Sequence, residues 1–130
     1  MNIPTNLKYT KSDEWVKVDG NVATIGISDY AQEQLSDIVY VEIPVEVGEH
    51  LLRNAICATL ESVKAAADVN LPVSGAITEI NEKLPQTPEV VNSDPFGAGW
   101  MLKLSLDNLK EMNDLMDAVA YQKYCEERSH

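Results

Sequence analysis

Leu60-Glu61-Ser62-Val63-Lys64-Ala65-Ala66-Ala67-Asp68-Val69-Asn70-Leu71-Pro72-Val73-Ser74-Gly75 is the stretch that departs most from generic strand-and-turn sequence. The apolar run Ala55 to Leu60 (AICATL) leads into it, and a second strand-like segment ends at Leu71-Pro72-Val73-Ser74-Gly75. Apolar runs on either side predict a hairpin with Lys64 near its tip. The three alanines leave the surface beside Lys64 uncrowded, which suits an enzyme that must dock on that lysine and modify it. Taken alone, the same residues also fit a solvated surface lysine, and Ala65-Ala66-Ala67 also fits a fragment of helix. Gly75 by itself reads as a turn or bulge glycine.

Outward from this hairpin the chain reads as short strands broken by turn residues. Trp15 to Val18, then Asp19-Gly20, then Val22 to Ile27 is a hairpin pattern with an Asp-Gly turn. Ser28 to Leu35 reads as a short helix, with Ser28 as N-cap and Asp29 in the first turn. Ile38 to Ile43 is a strand closed by Pro44, Gly75 to Ile80 is another, and Trp100 to Leu106 alternates apolar and polar residues. From Asp107 the period changes: Leu109, Met112, Leu115 and Met116 recur at helical spacing, and Ala118, Tyr121 and Tyr124 continue on a second helical stretch. This Met and aromatic stripe is read as core packing. The expected architecture is mainly β, with a short inserted helix and C-terminal helices. It forms one domain over residues 1–130, with a core of about 7–106 and a helical extension of about 107–127.

Composition narrows the function. Acids outnumber bases 21 to 10, a net charge of −11 spread over both halves of the chain. A nucleic-acid binder needs Lys and Arg to replace phosphate counterions, so no nucleic-acid partner is expected. Anionic membrane is disfavoured for the same reason, and no run of 18 apolar residues could span a bilayer. The two histidines, His50 and His130, leave no His-based triad and no multi-His metal site. Cys57 and Cys125 form neither a CxxC pair nor a disulfide framework, which points to a reducing compartment. Cys57 reads as a small buried hydrophobe, Cys125 as partly exposed near the polar C-terminus, and Trp15 and Trp100 as packing residues. The opening MNIPTNLKYTKSDEW has neither the apolar core of a secretory signal nor the Arg-rich character of a transit peptide. A cytoplasmic protein is expected, or a mitochondrial matrix one if the chain is a processed eukaryotic form.

Glu61-Ser62-Val63-Lys64-Ala65-Ala66-Ala67-Asp68-Val69-Asn70-Leu71-Pro72-Val73-Ser74-Gly75 resembles the lipoyl-attachment segment of the glycine cleavage system H protein family. Tyr9 to Val16 (YTKSDEWV) resembles that family's opening Y-[ST]-x-x-H-E-W-V, and Ile25 to Gln32 resembles V-G-I-T-x-x-A-Q. Leu35 to Pro44 resembles L-G-D-I-V-x-V-E-L-P, and Val90 to Phe96 with Gly99-Trp100 resembles L-V-N-x-x-P-Y and G-W. The ordered set covers nearly the whole chain. There are departures. Asp13 stands where the family usually has His, Ser36 and Asn54 where it usually has Gly, and Val45 is one extra residue before Glu46-Val47-Gly48.

The resemblance implies a barrel-sandwich hybrid with the modified lysine on an exposed β-turn. It implies lipoic acid in amide linkage to Lys64, and a non-catalytic carrier whose reactive sulfurs belong to the cofactor. The arm would take an aminomethyl group from the glycine decarboxylase (P protein) and pass the methylene to the aminomethyltransferase (T protein). It would then be reoxidised by dihydrolipoamide dehydrogenase (L protein). A lipoate-attaching enzyme is a fourth partner, and a monomer is expected. Glu14 and Asp68 are candidates to hold the amine of the cargo by charge-assisted hydrogen bonds, with Ser12 as an additional acceptor. An H-like protein that relays lipoyl groups to 2-oxoacid dehydrogenases would use the same Lys64. A biotin acceptor normally shows M-K-M, whereas this chain has Val63-Lys64-Ala65.

Overall fold

The computed structural model describes residues 1–128. Its strands are β1 (Lys8–Tyr9), β2 (Glu14–Asp19), β3 (Val22–Ile27), β4 (Ile38–Glu42), β5 (His50–Leu51), β6 (Ile56–Ser62), β7 (Ala66–Asn70), β8 (Gly75–Ile80) and β9 (Leu102–Leu106). The helices are α1 (Asp29–Leu35), α2 (Val90–Ser93) and α3 (Ala118–Arg128), with a 3-10 helix at Leu109–Asp114. Two antiparallel sheets result, one in the order β1-β2-β3-β9-β8-β5 and one in the order β4-β6-β7. The mainly β expectation holds.

Period-2 patterning builds the space between the sheets. Val16, Ala23, Ile25 and Leu104 from the larger sheet meet Val41, Ala58, Leu60 and Val69 from the smaller one, and all are buried. Burying each larger aliphatic side chain contributes about 1.5–3 kcal/mol. Consecutive residues of a strand point to opposite faces, so Trp15, next to Val16, joins a second cluster with Leu7, Tyr9, Tyr30, Ala118, Tyr121 and Cys125. That cluster lies under α3. Two cores thus flank β1 and β2: one closes the sandwich, the other seats the C-terminal helix.

Most local expectations hold, with instructive shifts. Asp19 pairs with Val22 as the last residue of β2. The turn is therefore Gly20-Asn21 rather than Asp19-Gly20, and Gly20 takes the positive φ of 66° that glycine permits. Ser28 caps α1, its Oγ accepting from the Ala31 amide at 3.1 Å. β9 starts at Leu102 rather than Trp100, because the Trp100 amide closes a turn onto the Gly97 carbonyl at 3.1 Å. Trp100 is half-buried, with the Lys103 ammonium 5.1 Å from its ring centre.

The C-terminal expectation needs two corrections. The helical spacing of Leu109 to Met116 produces a 3-10 helix that stops at Asp114. Met116 then exchanges backbone hydrogen bonds with Tyr9 at 2.8 and 2.9 Å, which satisfies the free edge of β1. Leu109 is exposed, while Met112 and Leu115 pack against the main core. Cys125, expected near the surface, is fully buried. It lies one turn after Tyr121, on the helix face that packs on Tyr9, so tertiary docking overrides the polar character of its neighbours.

Candidate functional site

β6 and β7 form a hairpin whose turn is Val63-Lys64-Ala65. Ser62 shapes the turn. Its Oγ accepts from the Lys64 amide at 3.1 Å and the Ala65 amide at 2.9 Å, and its amide donates to the Ala65 carbonyl at 2.8 Å. These are local bonds that a serine at a turn makes by itself. Val63, Lys64, Ala65 and Ala66 are exposed, so the lysine stands on a low, open rim. Its Nζ reaches across to α1 and donates to the backbone carbonyl of Gln34 at 3.3 Å.

Gln34 lines the mouth of a cleft of about 190 Å³ between α1, β7 and the turn before β2. That volume matches roughly six liquid waters. Ile27, Ala31, Leu35, Leu60, Ala67 and Val69 make apolar walls, and Ser12, Asp13, Glu14 and Asp68 add polar groups. Lys64, Glu14, Asp68 and Ser12, drawn from positions 12 to 68 of the sequence, therefore stand around one opening.

Glu14 is the buried member, only 1% exposed. Its Oε1 accepts from the hydroxyls of Thr10 at 2.6 Å and Ser12 at 2.5 Å, and its Oε2 accepts from the Asn70 amide at 3.1 Å. Burial pushes its proton affinity above the ordinary carboxylate range, against the lowering pull of the three donors, and the Asp13 charge adds to the rise. Asp68 is exposed on the rim, on a residue of β7 paired with Thr59. Ser12 spends its own proton on Glu14, so it faces any incoming donor as an acceptor. Thr10 escaped the sequence reading. Its hydroxyl also accepts from the Glu14 amide at 3.0 Å, and the Thr-x-x-x-Glu spacing was its only available signal.

The two cysteines take no part. Burial, aided by the Glu14 charge, pushes the Cys57 thiol up to about 12, so it stays protonated and unreactive. Cys125 lies in the cluster under α3. Among the described residues no cluster of His, Cys, Asp and Glu could hold a metal ion, and no helix is long and apolar enough to cross a membrane.

Three of the four departures from the family pattern, Asp13, Ser36 and Asn54, fall where φ is positive. Asn54 has φ 76°, a left-handed conformation that asparagine tolerates, so the turn before β6 survives without glycine. Ser36, at φ 65° and ψ −155°, occupies a region that glycine alone adopts without strain. Gly75 is no loose turn residue: it pairs with Leu51 on one side and Leu106 on the other, and a Cβ there would overlap the Ser105 carbonyl.

A two-sheet sandwich that lifts one lysine on a tight hairpin beside a cleft is the build of a lipoyl-carrying domain. The family model for the glycine cleavage H-protein matches residues 7–128. The glycine cleavage system H protein of Halothermothrix orenii is 50% identical over 127 residues, covering 98% of this chain and 98% of that protein. That of Thermotoga maritima is 52% identical over 118 residues, covering 91% and 94%. The crystal structure of the Mycobacterium marinum H protein superposes with a TM-score of 0.83 at 30% identity, covering 98% of this chain and all of that one. The chain belongs to the glycine cleavage H-protein family, and its role is that of the lipoyl carrier of glycine cleavage.

Proposed function

We propose that Lys64 carries the lipoyl group in amide linkage, and that the cleft ending at Glu14 shelters the aminomethyl cargo between visits to partner enzymes. One observation carries this reading: the Lys64 Nζ already lies 3.3 Å from the carbonyl of Gln34, at the cleft's mouth. The cleft's donor set suits the group, since apolar walls fit a hydrocarbon arm and a buried carboxylate fits a cationic head. When bound, the group supplies a dithiolane whose opened sulfur accepts an aminomethyl unit. Acylation removes the Lys64 charge and with it the attraction to the Gln34 carbonyl, which frees the arm to swing.

Glu14 does the holding. A carboxylate has about four lone-pair sites, and Thr10, Ser12 and Asn70 take three. One remains for an ammonium N–H, in a site where water is scarce and the charge-assisted bond is strong. Ser12 accepts a second N–H, and Asp68 attracts the cation at the rim. Apolar walls keep water from the carbon that would be hydrolysed. The chain itself needs no catalytic group for this: it binds, orients and excludes water.

Decarboxylase, aminomethyltransferase, dihydrolipoamide dehydrogenase and a lipoate-attaching enzyme are the expected partners of a monomeric carrier acting in the cytoplasm. In a processed eukaryotic form the mitochondrial matrix would take its place. Residues 1–130 act as one unit, the extension from 107 serving the carrier core. Intact-mass measurement with peptide mapping tests the attachment: a lipoyl increment on Lys64, lost in K64R, is expected. Absence of modification in cells with a working lipoate ligase would overturn it. For the cleft, E14A and D68A should lipoylate normally but lose the cargo faster. An unchanged lifetime in both would refute the sheltering role.

A further inference from the structure

The turn that supplies Glu14 with its two hydroxyl donors is gripped from outside by the last two turns of α3. Arg128 makes a two-pronged pair with Asp13, Nη2 to Oδ1 at 2.5 Å and Nη1 to Oδ2 at 3.1 Å. The guanidinium carbon also lies over two rings, 4.0 Å from the ring centre of Tyr124 and 4.4 Å from that of Tyr30. Tyr124 donates its hydroxyl to the Lys11 carbonyl at 2.8 Å, and Tyr121 donates to Asp13 Oδ1 at 2.8 Å. Asp13 sits at φ 75°, a left-handed conformation that needs support in a residue other than glycine. Its carbonyl is anchored by the Ser28 amide at 2.9 Å. Three side chains of one helix thus converge on two residues, Lys11 and Asp13, that flank Ser12 and precede Glu14.

We infer that Arg128, acting through Asp13, is a positioning residue for the Glu14 carboxylate, and that α3 thereby sets how firmly the cleft holds its cargo. The physical chain is short. The ion pair fixes Asp13, Asp13 fixes the turn, and the turn aims the Thr10 and Ser12 hydroxyls at Oε1. The Arg128 charge also balances Asp13, whose negative charge adjoins Glu14. Such two-pronged Arg–carboxylate pairs resist replacement by other cations. The inference rests on the sheltering role of Glu14 for its consequence, but not for its first test.

That test is amide hydrogen exchange on the unloaded protein. The Asn70 and Glu14 amides donate to the Glu14 carboxylate and the Thr10 hydroxyl, so they report the site rather than the sheet ladder. R128Q should speed exchange at both amides by about tenfold, while the Met101 amide, bonded to the Ile25 carbonyl in the main core, keeps its protection. R128K should restore only part of the protection. Unchanged exchange at Asn70 and Glu14, or equal acceleration at Met101, would overturn the inference. The second test is cargo lifetime on lipoylated, methylamine-loaded protein, with E14A as reference. R128Q should shorten the lifetime several-fold. If E14A shortens it and R128Q does not, the positioning role falls. If E14A has no effect, the sheltering reading falls, and the grip on the carboxylate is decided by exchange alone.

Discussion

The Asn70 amide, at the end of β7 in the smaller sheet, donates to Oε2 of Glu14, the first residue of β2 in the larger sheet. A carboxylate thus bridges the two sheets at the edge of the sandwich, and it does so from a nearly water-free position. The same hydrogen bond ties Glu14, which lines the cleft, to the end of β7.

This arrangement predicts a pH signature. Glu14 binds its proton more tightly in the folded chain than in the unfolded one, because burial disfavours the charge. Its stabilising contribution is therefore complete below the unfolded value of about 4.3 and is lost as pH rises through the higher folded value. E14Q, which keeps an acceptor for the Asn70 amide and has no charge, should be more stable than the parent near neutral pH. Urea unfolding across a pH series should show that gap closing as pH falls. A gap of constant size would contradict the burial argument.

Ser36 offers a second prediction. Its backbone lies in a region open to glycine and strained for serine. S36G should stabilise the fold by about 1 kcal/mol, strain relief outweighing the added freedom of the unfolded chain. Thermal unfolding would read this as a rise in Tm, whereas a fall would mean that the serine side chain contributes more than its backbone strain costs.

Gly75 predicts the opposite sign. Its neighbours in β9 approach so closely that a methyl group would overlap the Ser105 carbonyl. G75A should destabilise by about 3 kcal/mol, since backbone in a paired strand has little freedom to move away. Denaturant unfolding of G75A with a midpoint equal to the parent's would show that the β8–β9 ladder tolerates a larger spacing than its register implies.

The charge of −11 predicts how the carrier meets its partners. Glu33, Asp37, Glu42, Glu61 and Asp68 are all exposed on the elements around the Lys64 hairpin. Encounter with basic docking faces should slow several-fold when ionic strength rises from about 0.01 to about 0.15 M, as the Debye length shrinks from about 30 to about 8 Å. Stopped-flow measurement of carrier turnover against partner enzymes would detect it. A flat salt response would point to apolar docking.

Much of the molecule was legible in its local patterns. Gly20 in a two-residue turn, Ser28 capping α1, alternating Ile25 and Ala23 facing the core, and Lys64 raised on a hairpin are decisions made within a few residues, by backbone preference and period-2 burial. Less legible was everything set by partners distant along the chain. The 3-10 helix at Leu109–Asp114 gave way to an extended segment because Tyr9, on a free strand edge, offered Met116 two hydrogen bonds. Cys125 became buried because α3 docks on Tyr9 and Trp15.

The candidate site divides along the same line. Sequence alone determined which lysine stands at the hairpin tip, because Ser62 closes that turn with bonds to its immediate neighbours. It also determined most of the longer strands and the family likeness, but neither the order of strands in the sheets nor the short strands at Lys8–Tyr9 and His50–Leu51. Only the tertiary structure decided that Glu14 is buried, that Asn70, 56 positions away, is its donor, and that Arg128, 115 positions from Asp13, pairs with that residue in the turn before Glu14. Those contacts exist only once two sheets have closed and a helix has packed on their edge, since desolvation and long-range hydrogen bonds belong to the assembled fold and to no local window of residues.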